Sequence, residues 1–140
     1  MASNGGKNVC PTSWHLPTDA EWTTLENFLI SNGYNWDGTT TGNKIAKSMA
    51  STSGWNTDPT VGNVGNDQAS NNSSGFTALP SGSRYSNDTY NYIGYYGNWW
   101  SSTEGSASKA YFRDLGDYFS GVARYNDYKQ DGFSVRCLRD

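Results

Sequence analysis

The side chains available for a core decide what this chain can fold into. Apolar residues are sparse, 34% of the chain, and aromatics carry much of that share: six Trp, ten Tyr and five Phe among 140 residues. A chain this polar, with 16% charged residues, would tend toward disorder if its apolar side chains were small. Each aromatic side chain instead buries roughly 150–250 Å², so a modest number of well-placed rings fills an interior. The expectation is one compact, loop-rich domain of ordinary size with an aromatic core.

The helix signals are concentrated near the start. Thr18-Asp19-Ala20-Glu21 has the form of a capping box, with Thr18 as N-cap and Glu21 at the third helical position. Trp22, Leu25, Phe28 and Leu29 follow at helical spacing, and Asn32-Gly33 supplies a stop. This predicts a helix over Asp19–Ser31. Ile45, Ala46 and Met49 predict a second, shorter helix within residues 42–50. Residues 51–74 are rich in Gly, Asn, Ser and Thr and predict a long irregular segment, of the kind that tends to be functional in a compact domain. Short strands are expected at residues 98–102, 110–115, 121–125 and 133–138, separated by turn residues as in an antiparallel meander. Two helices followed by a small sheet make an α+β domain.

The last third changes character between two apolar anchors, Trp99-Trp100 and Phe133 to Cys137. Both tryptophans and Val135 are expected in the core. Residues 114–128 read DLGDYFSGVARYNDY, and residues 83–97 hold Tyr85, Tyr90, Tyr92, Tyr95 and Tyr96. Tyrosine among small polar residues is the usual composition of a recognition surface. Strand alternation would send Tyr111, Arg113, Leu115 and Val122 to one face and Phe112, Asp114, Ala123 and Tyr125 to the other. The candidate ligand-binding set is therefore Tyr90, Tyr92, Tyr95, Phe112, Asp114, Asp117, Tyr118, Phe119, Ala123, Tyr125, Asn126, Asp127 and Tyr128, expected to be exposed together.

Several function classes are disfavoured. Net charge is −3 with no basic stripe, which argues against nucleic acid as partner. No apolar run is long enough to cross a bilayer, so direct membrane insertion is not expected. No secretory signal is visible. Residues 1–9 are expected to be a flexible leader before a single domain over residues 10–140, and the natural chain to extend N-terminally. The two cysteines, Cys10 and Cys137, stand near opposite ends. They form either a disulfide, implying an oxidising compartment, or two unpaired buried thiols of a cytosolic protein; the disulfide is the expected state. His15 is the only histidine and is expected to be structural, so no catalytic set assembles. Asp58, Asn63, Asn66 and Asp67 offer oxygens for calcium, but a loop that is polar because it is solvated is the preferred reading; no metal and no cofactor is expected.

Four ordered motifs resemble a known family: CPTSWHLPTDAEW at residues 10–22, NSSGFTALP at 72–80, WWSSTE at 99–104 and GFSVRC at 132–137. Together they closely resemble the Fibrobacter succinogenes major paralogous domain. The resemblance runs from Cys10 to Arg139 and implies a C-type-lectin-like fold, related to the formylglycine-generating-enzyme group, in secreted or surface proteins. Those enzyme relatives use a reactive cysteine, which is not carried over, because Cys10 and Cys137 occupy the disulfide positions. The calcium-holding tripeptides of sugar-binding lectins, Glu-Pro-Asn, Gln-Pro-Asp and Trp-Asn-Asp, do not occur. Residues 110–137 also resemble the variable region of a protein diversified by a retroelement. Mutated AAY codons cannot encode Glu, Lys, Gln, Met or Trp, and residues 116–128 contain none of these.

The function expected from all this is a receptor- or adhesin-type binding module, not an enzyme. Its partner would be a protein or glycan on another cell surface. It would act outside the cell or at its surface, as part of a longer protein or appendage, or on a phage particle. The alternative is a structural surface domain with no dedicated ligand site.

Overall fold

The computed structural model describes residues 3–4 and 7–140, with side chains from residue 9 onward. The expected leader over residues 1–9 therefore lies partly outside the described residues; within it β1 (Ser3–Asn4) pairs with β2 (Lys7–Asn8). Beyond it the chain forms a small α+β domain with two helices and several antiparallel sheets.

Helix α1 spans Asp19–Ser31 and starts on the expected capping box: Thr18 Oγ1 accepts from the Glu21 amide, and the Glu21 carboxylate accepts from the Thr18 amide. It ends at Asn32, with Gly33 at φ 77°. Trp22 and Leu29 are buried and Leu25 packs against the core, whereas Phe28 is exposed. One residue turns the helix by about 100°, so Phe28 points away from the Trp22–Leu29 stripe. The second helix, α2, is a single turn, Ala46–Met49, shorter than the expected 42–50. Residues 51–74 are irregular as expected, apart from a 3₁₀ turn at Gln68–Ser70.

The main sheet is a three-stranded antiparallel meander of β6 (Tyr96–Glu104), β7 (Lys109–Gly116) and β8 (Ala123–Tyr128), with β7 in the centre. Trp99 and Trp100, being adjacent on β6, point to opposite faces. Trp99 joins the core under α1 and α2 with Trp22, Leu29, Ile45, Met49, Val64, Leu115 and Val122. Trp100 joins a second cluster with Cys10, Leu16, Ala110, Phe112 and Phe133. The sheet is thus covered on both sides, one ring of the pair anchoring each layer.

Arg113 fixes the helix to the sheet. It is 1% exposed, donates to Asp19 Oδ1 at 2.7 Å and to the Glu26 carboxylate, and reaches Thr23 Oγ1 at 3.0 Å. Arg124 on β8 also donates to Asp19, at 2.8 Å. The termini are joined twice: β3 (Trp14–His15) pairs with β9 (Leu138–Arg139), and Cys10 is disulfide-bonded to Cys137. The expected strand over 133–138 is instead broken into isolated bridges, Gly132 to Arg84 and Ser134 to Trp99. Val135 is exposed, which corrects its assignment to the core. A short hairpin of β4 (Ser83–Arg84) and β5 (Tyr90–Asn91) completes the sheets.

Candidate ligand-binding face

At one end of the main sheet the tyrosine loop before β6 meets the turn after β7. Register places Tyr96, at the start of β6, opposite Gly116, at the end of β7, so the segments flanking them converge. The Asp117 amide donates to the Tyr95 carbonyl at 2.9 Å. Rings then contact one another in a row. Centroid separations are 6.5 Å for Tyr85–Tyr92, 5.5 Å for Tyr92–Tyr96, 5.9 Å for Tyr96–Tyr118 and 4.2 Å for Tyr118–Phe119. The Tyr96 and Tyr118 hydroxyls are hydrogen-bonded to each other. The long irregular segment holds this turn from behind: the Val64 and Gly65 amides donate to the Phe119 and Asp117 carbonyls, and Asn63 Nδ2 donates to the Tyr118 carbonyl. That is a physical use for a loop whose composition forbids a packed element. Asp58 and Asn63 are bonded to each other within it, at 2.9 Å.

The structure divides the candidate residues. Tyr90, Tyr92, Tyr95, Tyr118, Phe119, Tyr125 and Tyr128 are all exposed, and Asn126 is exposed with Ala123 and Asp127 half-buried. Phe112, Asp114 and Asp117 are not exposed, at 7%, 8% and 5%, which overturns the expectation for these three. Asp117 lies past the end of β7, where the Gly65 amide of the 51–74 segment closes on its carbonyl at 2.7 Å; for Phe112 and Asp114 the reason is the second layer. The alternation on β7 is real, but β7 is a central strand and its Phe112 face is covered by Trp100 and Phe133, with ring centroids 5.9 and 4.7 Å away. Nor do the β8 residues share one face. Ala123, Tyr125 and Asp127 pair with Asp114, Phe112 and Ala110, whereas Asn126 and Tyr128 pair with Tyr111 and Lys109 and belong to the helix side.

Between the aromatic row and the second layer lies a cleft of about 250 Å³, lined by Ser83, Tyr85, Tyr92, Tyr96, Asn98, Phe112, Asp114, Asp127 and Phe133. Asp114 is the unusual member. Its Oδ1 is buried with no hydrogen-bond partner among the described residues, and burial raises its pKa to about 7. Burial likewise raises the hydroxyl of Tyr96, helped by its bond to Tyr118, and that of Tyr85, helped by Tyr92. The Asp117 carboxyl is also pushed up by burial, and Oδ1 of this side chain too lacks a partner among the described residues. Tyr92, which walls the cleft, sits at φ 64°. A bulky residue in the left-handed region is an outlier that the surroundings must hold in place.

The sequence profile of the Fibrobacter succinogenes major domain matches residues 1–139. The chain belongs to this family. Neither curated proteins nor solved structures offer a match. For this Fibrobacter succinogenes major domain the site must therefore be read from its own residues.

Five cleft residues, Ser83 on β4 among them, escaped the candidate set. Tyr85 and Tyr96 sit in the tyrosine cluster, but nothing in the sequence separates them from Tyr90 or Tyr95. Asn98 and Phe133 enter through register and through the second layer, neither of which composition reveals. His15 proves structural in its contacts: its ring nitrogens lie 2.6 Å from Asp140 Oδ1 and 3.1 Å from Glu21 Oε1, next to the joined termini.

Proposed function

We propose that this domain is a ligand-binding module of receptor or adhesin type, built on a C-type-lectin-like scaffold. The scaffold reading is supported by termini paired by β3–β9, a single long helix on a small antiparallel sheet, and long irregular loops. The observation that carries the binding reading is the row of contacting rings from Tyr85 to Phe119, much of it exposed and braced from behind by the 51–74 segment. Aromatic side chains are large, stiff and amphipathic, so they give contact area at low entropic cost, and a few of them can dominate binding. Other rings are exposed singly, Phe28 and Trp36 among them, but a continuous row of contacting rings left partly exposed is out of keeping with a purely structural role.

Retroelement diversification is part of the proposal in a narrower form. Buried Phe112, Asp114 and Asp117 are poor sites for free variation. The positions suited to it are Tyr118, Phe119, Ala123, Tyr125, Asn126, Asp127 and Tyr128. A partner protein or glycan on another surface, and a location outside the cell or on a phage particle, follow from the same reading. The test is an array of glycans and cell-surface proteins probed with the wild type and with a variant carrying Tyr118→Ser, Phe119→Ser and Tyr125→Ser. Specific binding by the wild type that the folded variant loses is the expected result. Binding unaffected by the three changes, or no ligand at all, would favour the structural alternative.

A further inference from the structure

The cleft beside the aromatic row has a composition that selects its occupant. Its walls are the rings of Tyr85, Tyr92, Tyr96, Phe112 and Phe133, and its only charged lining groups are the carboxylates of Asp114 and Asp127; no Lys or Arg is among the lining residues. Asp127 Oδ1 is already engaged by the Tyr128 amide at 2.8 Å. Asp114 Oδ1 has no hydrogen-bond partner among the described residues, although it is fully buried and 92% of the residue is withdrawn from solvent. A buried carboxylate without a partner is costly, and native structures keep few of them. The faces of aromatic rings carry negative potential and attract organic cations within about 6 Å. Rings and carboxylate therefore ask for the same thing.

We propose that this cleft receives the cationic end of a lysine or arginine side chain from a partner protein, with the charge against Asp114 and the aliphatic stem along Tyr92 and Tyr96. The proposal rests on the binding-module reading above and narrows its partner to a protein. The size fits: about 250 Å³ lies just below the ~300–1,000 Å³ typical of sites for whole small molecules, so a single side chain is the natural occupant. A metal ion fits poorly, because calcium and magnesium need several oxygen ligands and the wall here is mostly ring. A neutral sugar could hydrogen-bond to Asp114 but would leave its charge uncompensated. The left-handed Tyr92 is accounted for as well, since strain of this kind concentrates at ligand clamps.

The experiment is an NMR titration of the domain with n-butylammonium, n-butylguanidinium and two neutral analogues, n-butanol and N-butylurea. It follows the Asp114 carboxyl carbon and the ring signals of Tyr85, Tyr92 and Tyr96. The titratable groups around the cleft are Asp114, Asp117, Asp127, Asp131 and these tyrosines, so the Asp114 signal is read across pH with and without probe. Either cation should perturb the cleft signals, bind at least tenfold more tightly than its neutral analogue, and lower the pH at which Asp114 titrates. Which cation binds better tells lysine from arginine. Asp114→Asn should weaken cation binding at least tenfold while leaving the neutral analogues unchanged. Tyr92→Leu, which keeps the charge, should weaken it severalfold. Equal binding of cations and neutral analogues, or no cleft perturbation by either cation, would overturn the proposal. An array ligand bound equally well by wild type and Asp114→Asn would overturn it too while leaving the binding-module reading intact. Butylammonium seated at Asp114 with no array ligand found would support the cleft and count against that reading alone.

Discussion

Asp114→Asn should stabilise the folded domain by an amount that grows as pH rises from 3.8 to about 7 and then levels off. Its carboxyl titrates at about 7 instead of the ordinary 3.8, because burial disfavours the charge. A raised acidic pKa means that the folded state keeps a proton the unfolded chain has released. Stability therefore falls as pH climbs through the interval between those two values and stays reduced above it. At about 1.4 kcal/mol for each tenfold in acidity, the displacement amounts to a ceiling of about 4 kcal/mol. The amide recovers less than that, since its own NH₂ needs partners in a buried setting; a gain of about 1–3 kcal/mol is expected. With roughly 2–4 °C per kcal/mol for a domain somewhat larger than this one, Tm should rise by several degrees near pH 8. Near pH 4, where the wild-type carboxyl is protonated in the folded state, that gain should be absent and the cost of the amide NH₂ should leave Tm equal or lower. Calorimetric unfolding of both proteins across that range, under non-reducing conditions, makes the measurement. An equal Tm difference at every pH, or a variant less stable at pH 8, would refute the reasoning. A group that costs stability while empty is the signature of a site kept for use rather than for folding.

The remaining predictions concern the scaffold. Reducing the Cys10–Cys137 bond, which closes a sequence separation of 127 residues, should destabilise the domain by about 4–5 kcal/mol in the chain-entropy model, read as a lowered urea midpoint; intact mass should rise by two hydrogen atoms when a thiol reductant is added. Arg113→Ala strands Glu26 against the sheet and leaves Asp19 with Arg124 as its remaining cation, and should cost about 3–5 kcal/mol, whereas Val135→Ser, at an exposed position, should cost within about 0.5 kcal/mol. Below about pH 4, stability should decline as Asp19 protonates, because the hydrogen bond from Arg124 and then that from Arg113 hold its carboxyl below the ordinary 3.8; a depressed acid contributes stability above the unfolded pKa and loses it as pH falls. Arg124→Ala should flatten that acid limb.

What could be read in the sequence was what local chemistry decides. The capping box, the Asn32-Gly33 stop and the irregular character of residues 51–74 each depend on a few neighbouring residues, and each is found where expected. Both tryptophans of the Trp99-Trp100 pair are core, and the two cysteines are bonded. Errors arose where a residue's surroundings come from distant chain. Alternation on β7 correctly separates Tyr111, Arg113 and Leu115 from Phe112, Asp114 and Gly116. It cannot say that a segment from residue 133 onward covers the second face, so Phe112 and Asp114 were expected outside. Arg113 reads as polar and is among the most buried side chains, because Asp19 and Glu26 on α1 supply its partners from about 90 residues away. The cleft was illegible for the same reason: it draws on β4, β6, β7, β8 and the 133 segment at once.

Hydroxyl-radical footprinting of the domain with a captured ligand tests the location of the binding face most directly. The account predicts protection at Tyr92, Tyr118, Phe119 and Tyr125, with Phe28, Trp36 and Val61, all exposed elsewhere, reacting as they do in the free protein. Protection centred on Phe28, Trp36 or Val61, with the tyrosine row unprotected, would contradict it.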